Sequence, residues 1–275
     1  MMKFLDLTFS TPAENLACDE ALLDWREDGG DEGILRLWES PEMFVVVGYA
    51  NRIEAEVNAE RCEAEKVPIM RRCSGGGTVL QGRGCLNYAL VLEITGNAAL
   101  ANITSANRYI MERNRAAVES VAGDSRVIKV QGHTDLACSN THKPSPHPDP
   151  DDGGAALLLG HRTAQRAVPT SSFRKFSGNS QRRHKNFLLF HGTFLLDFDL
   201  TLVSKYLKFP SRQPDYRDSR SHGDFLMNLD LSAAAVKEAM RKVWHAEQPL
   251  QNPPLEGISK LAREKYAMRE WNFKF

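Results

Sequence analysis

The 275-residue chain has no excess of charge of either sign: Lys and Arg together number 35, and so do Asp and Glu. Without a net field there is no global attraction to nucleic acid or to an anionic membrane, so neither is expected as a partner. No stretch approaches the roughly 18 apolar residues of a membrane span. Lys3 and Asp6 break the apolar start, unlike a secretory signal. A cytoplasmic protein is the expectation. Cys18, Cys62, Cys73, Cys85 and Cys138 contain no C-x-x-C pair. Their odd number and their spacing suit reduced thiols better than a disulfide framework or a structural zinc site. Internal repeats are absent as well.

Hydrophobic residues make up 42% of the chain, enough for a sizeable core. Thr11, Pro12 and Glu14 read as a capping-box helix start, followed by Leu16, Leu22, Leu23 and Trp25 and closed by Gly29 and Gly30. "ILRLW", "MFVVVGY", "VPIM" and "LNYALVLEI" are apolar runs of strand length. Ile103, Ala106, Ile110, Ala117 and Val121 recur near the helical period up to Gly123. Strand-like "RVIKV" and "FLLFHGTFLLDF" follow, then helical "SAAAVKEAMRKVWHAEQ" and "EGISKLAREKYAM". This irregular interleaving predicts an α/β (α+β) fold, a mixed central sheet flanked by helices. Residues 139–172, rich in Pro, Asp, His and Ser, read as a mobile insertion into one domain spanning 1–275. Cys138, His142 and His147 lack the paired spacing of a zinc site.

The stretch "RRCSGGGTVLQGRGCLNYALV", residues 71–91, is the densest in chemistry. It is not a Walker loop, because Gly82 is followed by Arg83 and Gly84, and the strand after Gly84 excludes a dinucleotide fingerprint. Two readings stay open. One is a glycine-rich hairpin turn. The other is a loop whose bare amides and flanking guanidiniums receive an extended anion. Ser74, His191 and Asp135 lack the G-x-S-x-G elbow that would mark a serine nucleophile.

The same stretch resembles the RR-x-SGGG-x-V signature of the lipoate-protein ligase A family. "GHTDLAC" and "RKFSGNSQRRHKNFLLFHGTFLLDFDL" are similar to that family's G-x-x-D-L, lysine and HGT-strand elements, and "NLACDEALL", "ILRLWES" and "EKYAMREWNF" extend the likeness to nearly the whole chain. The resemblance implies a fold like that of biotin ligases and class II aminoacyl-tRNA synthetases. It implies activation of lipoate or octanoate with ATP and Mg²⁺ to an acyl-AMP. Transfer then goes to a lysine of a lipoyl domain of 2-oxoacid dehydrogenase acyltransferase subunits, or of glycine-cleavage H protein. Arg71, Gly76, Gly77, Thr78 and Val79 match the nucleotide-contacting motif, with Arg72, Ser74 and Gly75 of the same signature, and Lys175 matches the lysine touching phosphate and acyl carbonyl. Gly178 belongs to the lysine motif, while Asn87 and His191 are expected in the pocket wall.

A carboxylate attacking a phosphate brings two anions together, so such a site must supply positive charge, and Arg71 and Lys175 are the candidates. Asp135 suits a hard cation such as Mg²⁺ or an acceptor amine; no metal ligand set is otherwise apparent. The small C-terminal domain of many such ligases is not matched, which implies an accessory protein for adenylation or transfer of a preformed acyl group. The alternative is an ATP-independent octanoyl or lipoyl transferase fed by acyl carrier protein. In relatives of that type a cysteine takes the acyl group; here Leu188 occupies one such position and Cys138 lies near the other. A second alternative is a noncatalytic lipoate-binding scaffold. The basic run Arg174, Lys175, Arg182, Arg183 and Lys185 is expected to steer an acidic lipoyl domain.

Overall fold

The structure is a computed structural model, and it describes residues 2–29, 32–140 and 173–275. Eleven strands are described: β1 (Met2–Asp6), β2 (Gly33–Glu39), β3 (Phe44–Val47), β4 (Ile69–Arg71), β5 (Val79–Gln81), β6 (Cys85–Glu93), β7 (Arg126–Gln131), β8 (Asp135–Asn140), β9 (Arg174–Arg183), β10 (Phe187–Leu195) and β11 (Gln248–Pro249). Eight form one sheet in the order β11-β1-β2-β6-β10-β9-β8-β7, and β4-β3-β5 form a second. Pairing is parallel at β1 with β2 and β11, antiparallel from β2 through β7. This is the expected mixed sheet. Two expectations shift. Ser139 and Asn140 end a strand instead of opening an insertion, and the remaining insertion residues, 141–172, lie outside the described residues. Four residues of the basic run, Arg174, Lys175, Arg182 and Arg183, belong to strand β9, which is paired on both sides instead of standing free for a partner.

The sheet is buried on both faces, which explains the unbroken apolar runs of its central strands. In β6, Leu86, Tyr88, Leu90 and Leu92 meet Ile110, Met111 and Val118 of the Ile103–Ala122 helix and Val236 and Met240 of the Ala233–Val243 helix. Ala89 and Val91 face the opposite side with Leu22 and Leu23 of the Pro12–Glu27 helix and Ile258 and Tyr266. The Pro12–Glu27 helix begins as expected: the Thr11 side chain accepts from the Glu14 amide at 3.2 Å and donates to its carboxylate at 2.7 Å.

That helix carries polar residues into the core. Asn15, Asp19 and Glu20 are buried, and Arg36 of β2 is fully enclosed against the first two. One Arg36 nitrogen donates to Asp19 Oδ1 at 2.6 Å and to the Asn15 carbonyl at 2.7 Å. The other donates to Asn15 Oδ1 at 2.9 Å and to the Leu7 carbonyl at 3.1 Å. Burial alone would raise the Asp19 pKa, but the Arg36 charge and the His191 contact outweigh it and hold the carboxyl below its ordinary range.

Arg36→Met leaves Asp19 enclosed without its partner, and the expected loss is about 3–5 kcal/mol in urea unfolding at pH 7. Because the Asp19 pKa is depressed, its contribution is complete above about 3.9, the unfolded value, and fades as pH falls through the folded value. The Asp19→Asn variant should lack that part of the acid slope.

Candidate active site

The residues between β4 and β5 form the glycine loop, and its two arginines leave the extended chain in opposite directions. Arg71 is fully buried and donates to the carbonyls of Gly48 (2.9 Å), Tyr49 (3.0 Å), Asn51 (2.8 Å) and Asn272 (3.2 Å). Arg72 turns into the loop, donating to Ser74 Oγ (3.2 Å) and to the carbonyls of Gly75 (3.1 Å) and Gly77 (2.8 Å). Burial lowers the Arg72 pKa to about 10.

The three glycines are bare for different reasons. Gly76 has φ +85°, and a Cβ there would stand 3.0 Å from an Arg72 guanidinium nitrogen. Its carbonyl lies so close to Gly48 that a side chain on Gly48 would overlap it. Around Gly75 and Gly77 there is open space. Only the middle glycine is required by the protein itself.

Lys175 reaches the site because β9 is bulged. The register steps from Leu136↔Ser177 to Ala137↔Lys175, which leaves Phe176 as the extra residue. Phe176 packs into the core on the helix-pair face, while the Lys175 side chain lies across Gly178 on the other face. A Cβ on Gly178 would stand 2.8 Å from Lys175 Nζ. Lys175 Nζ is 2.8 Å from Asp135 Oδ1, and Tyr216 donates its hydroxyl to Asp135 Oδ2 at 2.8 Å. Burial and then the Asp135 charge raise the Tyr216 pKa, which keeps that donor proton in place.

One row along β10, His191 directs Nδ1 to Asp19 Oδ2 at 2.9 Å and Nε2 to Ser74 Oγ at 2.5 Å. Ser180 donates to the Gly75 carbonyl at 2.8 Å, so floor and loop are joined twice. Beside them Gln81 donates to Thr193 Oγ1 at 2.6 Å, and Thr193 to Asn87 Oδ1 at 2.6 Å.

These groups enclose a cavity of about 420 Å³ with apolar walls that include Leu16, Trp38, Val46, Val79 and Leu226. Its size and lining suit a flexible apolar ligand with a polar head. Of the residues singled out in the sequence, Arg72, Gly76, Gly77, Thr78, Val79, Asn87, Asp135, Lys175, Gly178 and His191 line it. Arg71, Ser74 and Gly75 do not. Sequence reasoning missed Asp19, Gln81, Thr193 and Tyr216. For Asp19 the available signal was an acid on a helix face otherwise headed for the core.

None of the five cysteines lines the cavity. Cys138 is buried in the core on the helix-pair face, and burial raises its thiol pKa. Burial pushes Cys18, Cys73 and Cys85 to about 12 and also raises Cys62. Cys138 is therefore not placed as an acyl-accepting nucleophile. Nor does Asp135 present a free oxygen to Mg²⁺, since both are engaged, and the described residues hold no cluster of three metal-ligating side chains. The basic run is also tied down: Arg182 donates to the Cys73 carbonyl, Arg183 to Leu100 and Arg174 to Gly223.

The family model for the lipoyl protein ligase A/B catalytic domain matches residues 11–244. The chain belongs to that family. It is an enzyme of the lipoyl ligase and octanoyltransferase class. Among its relatives, Octanoyltransferase LipM of Geobacillus kaustophilus is 26% identical, covering 99% of this chain and 98% of the relative. The Bacillus subtilis protein of the same name is 25% identical over the same shares. Solved structures share the fold. A bi-partite lipoate protein ligase from Thermoplasma acidophilum, described with its E2 lipoyl domain, aligns with TM-score 0.73 at 22% identity, covering 98% of this chain and 95% of that one. Lipoate-protein ligase A bound with ATP aligns with TM-score 0.71 at 22% identity, covering 98% of each. No helix among the described residues is long and apolar enough to cross a membrane.

Gly76→Ala forces a side chain into a left-handed position, and its expected cost in urea unfolding exceeds about 1 kcal/mol. Gly77→Ala meets no obstacle within the protein, so the same measurement should show no loss of stability.

Proposed function

We propose that the enzyme moves an octanoyl or lipoyl group from an already activated donor to the lysine amine of a lipoyl domain or of glycine-cleavage H protein. The donor is an acyl carrier protein thioester or a preformed acyl-adenylate. The observation that carries this reading is the engagement of Arg71 and Arg72 by backbone carbonyls, beside a pocket in which Lys175 is held by Asp135 next to the glycine loop. Adenylation would need added charge where a carboxylate meets a phosphate. Acyl transfer from an activated donor needs charge only at the carbonyl oxygen. With both loop arginines bonded to carbonyls and both Asp135 oxygens paired, no step is routed through ATP or Mg²⁺. The octanoyltransferase relatives, matched along nearly the whole chain, support the same reading. The T. acidophilum ligase described with its E2 lipoyl domain supports the class of acceptor.

In this mechanism the acyl chain lies along the apolar wall and its carbonyl oxygen meets Lys175 Nζ. The neutral acceptor amine attacks the carbonyl carbon. The oxyanion that forms takes hydrogen bonds from Lys175, which has three donors and can keep one on Asp135. Asp135 holds the Lys175 ammonium in place. Collapse of the intermediate breaks the bond to the donor's sulfur or phosphate oxygen, and the proton lost by the amine leaves with that group. No covalent enzyme intermediate is required, in keeping with a described pocket that contains no thiol.

Octanoyl-acyl carrier protein and an apo lipoyl domain, mixed without ATP, should yield the octanoyl mass gain by mass spectrometry. A gain seen only with free octanoate and ATP would overturn the reading. Lys175→Ala should lower kcat by about two to three orders of magnitude, whereas Cys138→Ser should leave kcat unchanged. Gly77→Ala should raise KM for the acyl donor, because its bareness faces the pocket.

A further inference from the structure

A directed run of hydrogen bonds crosses the core on the sheet face away from the Lys175 side chain, and three of its residues, Tyr88, Thr134 and Asn179, also border the cavity. Trp244 Nε1 donates to Asn114 Oδ1 at 2.9 Å, and Asn114 Nδ2 donates to the Tyr88 hydroxyl at 2.7 Å. Tyr88 donates to Asn179 Oδ1 at 2.5 Å, and Asn179 Nδ2 donates to the Thr134 carbonyl at 2.6 Å. Trp244, Asn114 and Tyr88 are all buried. The run links two helices, a central strand and β9, and it ends on the main chain one residue before Asp135. Thr134 returns a bond from Oγ1 to the Asn179 carbonyl at 3.0 Å, so the turn and β9 grip each other in both directions. Space for the Asn179 amide exists because Gly192, opposite it on β10, has no side chain.

The sheet ladder does not do this work. Asp135 pairs with Gln131 on β7, but the register with β9 begins only at Leu136 and is broken at once by the bulge. The Asp135–Lys175 pair thus spans the point where backbone pairing between its two strands fails. The bond from Asn179 to the Thr134 carbonyl and the return bond from Thr134 Oγ1 are the side-chain ties across that gap.

We propose that Asn179 is a positioning residue that fixes Asp135, and through it Lys175, from the far face of the sheet. Its catalytic consequence rests on the transfer reaction proposed above; its geometric content does not. The test therefore has two readouts: labelling of the Lys175 amine by acetic anhydride, followed by peptide mass spectrometry, and the kinetics of transfer. Asn179→Asp keeps the shape and removes the donor to Thr134. It should speed Lys175 labelling several-fold, as the ion pair loosens, and lower kcat on the order of 10²-fold with KM for the lipoyl domain unchanged. Asp135→Asn should also speed labelling, and adding Asn179→Asp to it should change nothing further. Tyr88→Phe, which frees one end of the Asn179 amide, should shift labelling the same way to a smaller degree. It decides the matter if Asn179→Asp does not fold.

Unchanged labelling in a folded Asn179→Asp protein would overturn the proposal, as would effects of Asn179→Asp and Asp135→Asn that multiply. If the wild type transfers from no donor, the kinetic arm fails with the functional reading, and labelling still decides the role of Asn179.

Discussion

A guanidinium sealed inside a sheet must have its donors met, and the way Arg36 meets this demand governs much of the molecule. Its partners lie on the segment before the first helix and on two successive turns of that helix. The helix therefore has one permitted roll against β2. In that roll Asp19 also faces β10, and its second oxygen is left for His191. His191 in turn meets Ser74, which accepts from Arg72, which holds the glycine loop. An apolar pair at positions 19 and 36 could pack as stably. It would give His191 no acceptor and the loop no registered floor.

The two arginines of the loop act as a pair because they are consecutive. One goes down into a cage of carbonyls and fixes the loop's base to the C-terminal residues; the other curls over and fixes its crest. Their charge is spent on backbone dipoles, a use that a sequence pattern cannot separate from phosphate binding, since guanidinium suits both. This is why the glycine stretch by itself left two readings open.

Elements with strong local signals were legible. The Thr11 cap, the helix from Ile103 and the strands of the central sheet stand where period and capping put them. The lysine, the aspartate and most of the glycine loop were legible through family motifs. Strand β9 was not, because ten residues with four cations and little apolar content carry no strand signal; flanking strands and main-chain acceptors decide its state. Tyr216 and Thr193 were missed for a related reason. Each acquires meaning from a partner more than eighty positions away, and no local spacing encodes such a meeting. Cys138 lies near the place of an acyl-accepting cysteine but stands in the core, because one step along a strand separates a pocket from a core.

The bulge at Phe176 carries the same lesson further. Because strand faces alternate, the position of the site's cation depends on counting residues as well as on identity. Regular pairing of the same residues, without the bulge, would set Phe176 opposite Ala137 and exchange a phenyl ring for the ammonium at the pocket. The chain would keep nearly the same composition, charge and strand content while presenting a greasy wall where the reaction needs a donor. Changes of register are therefore far more hazardous here than changes of residue type.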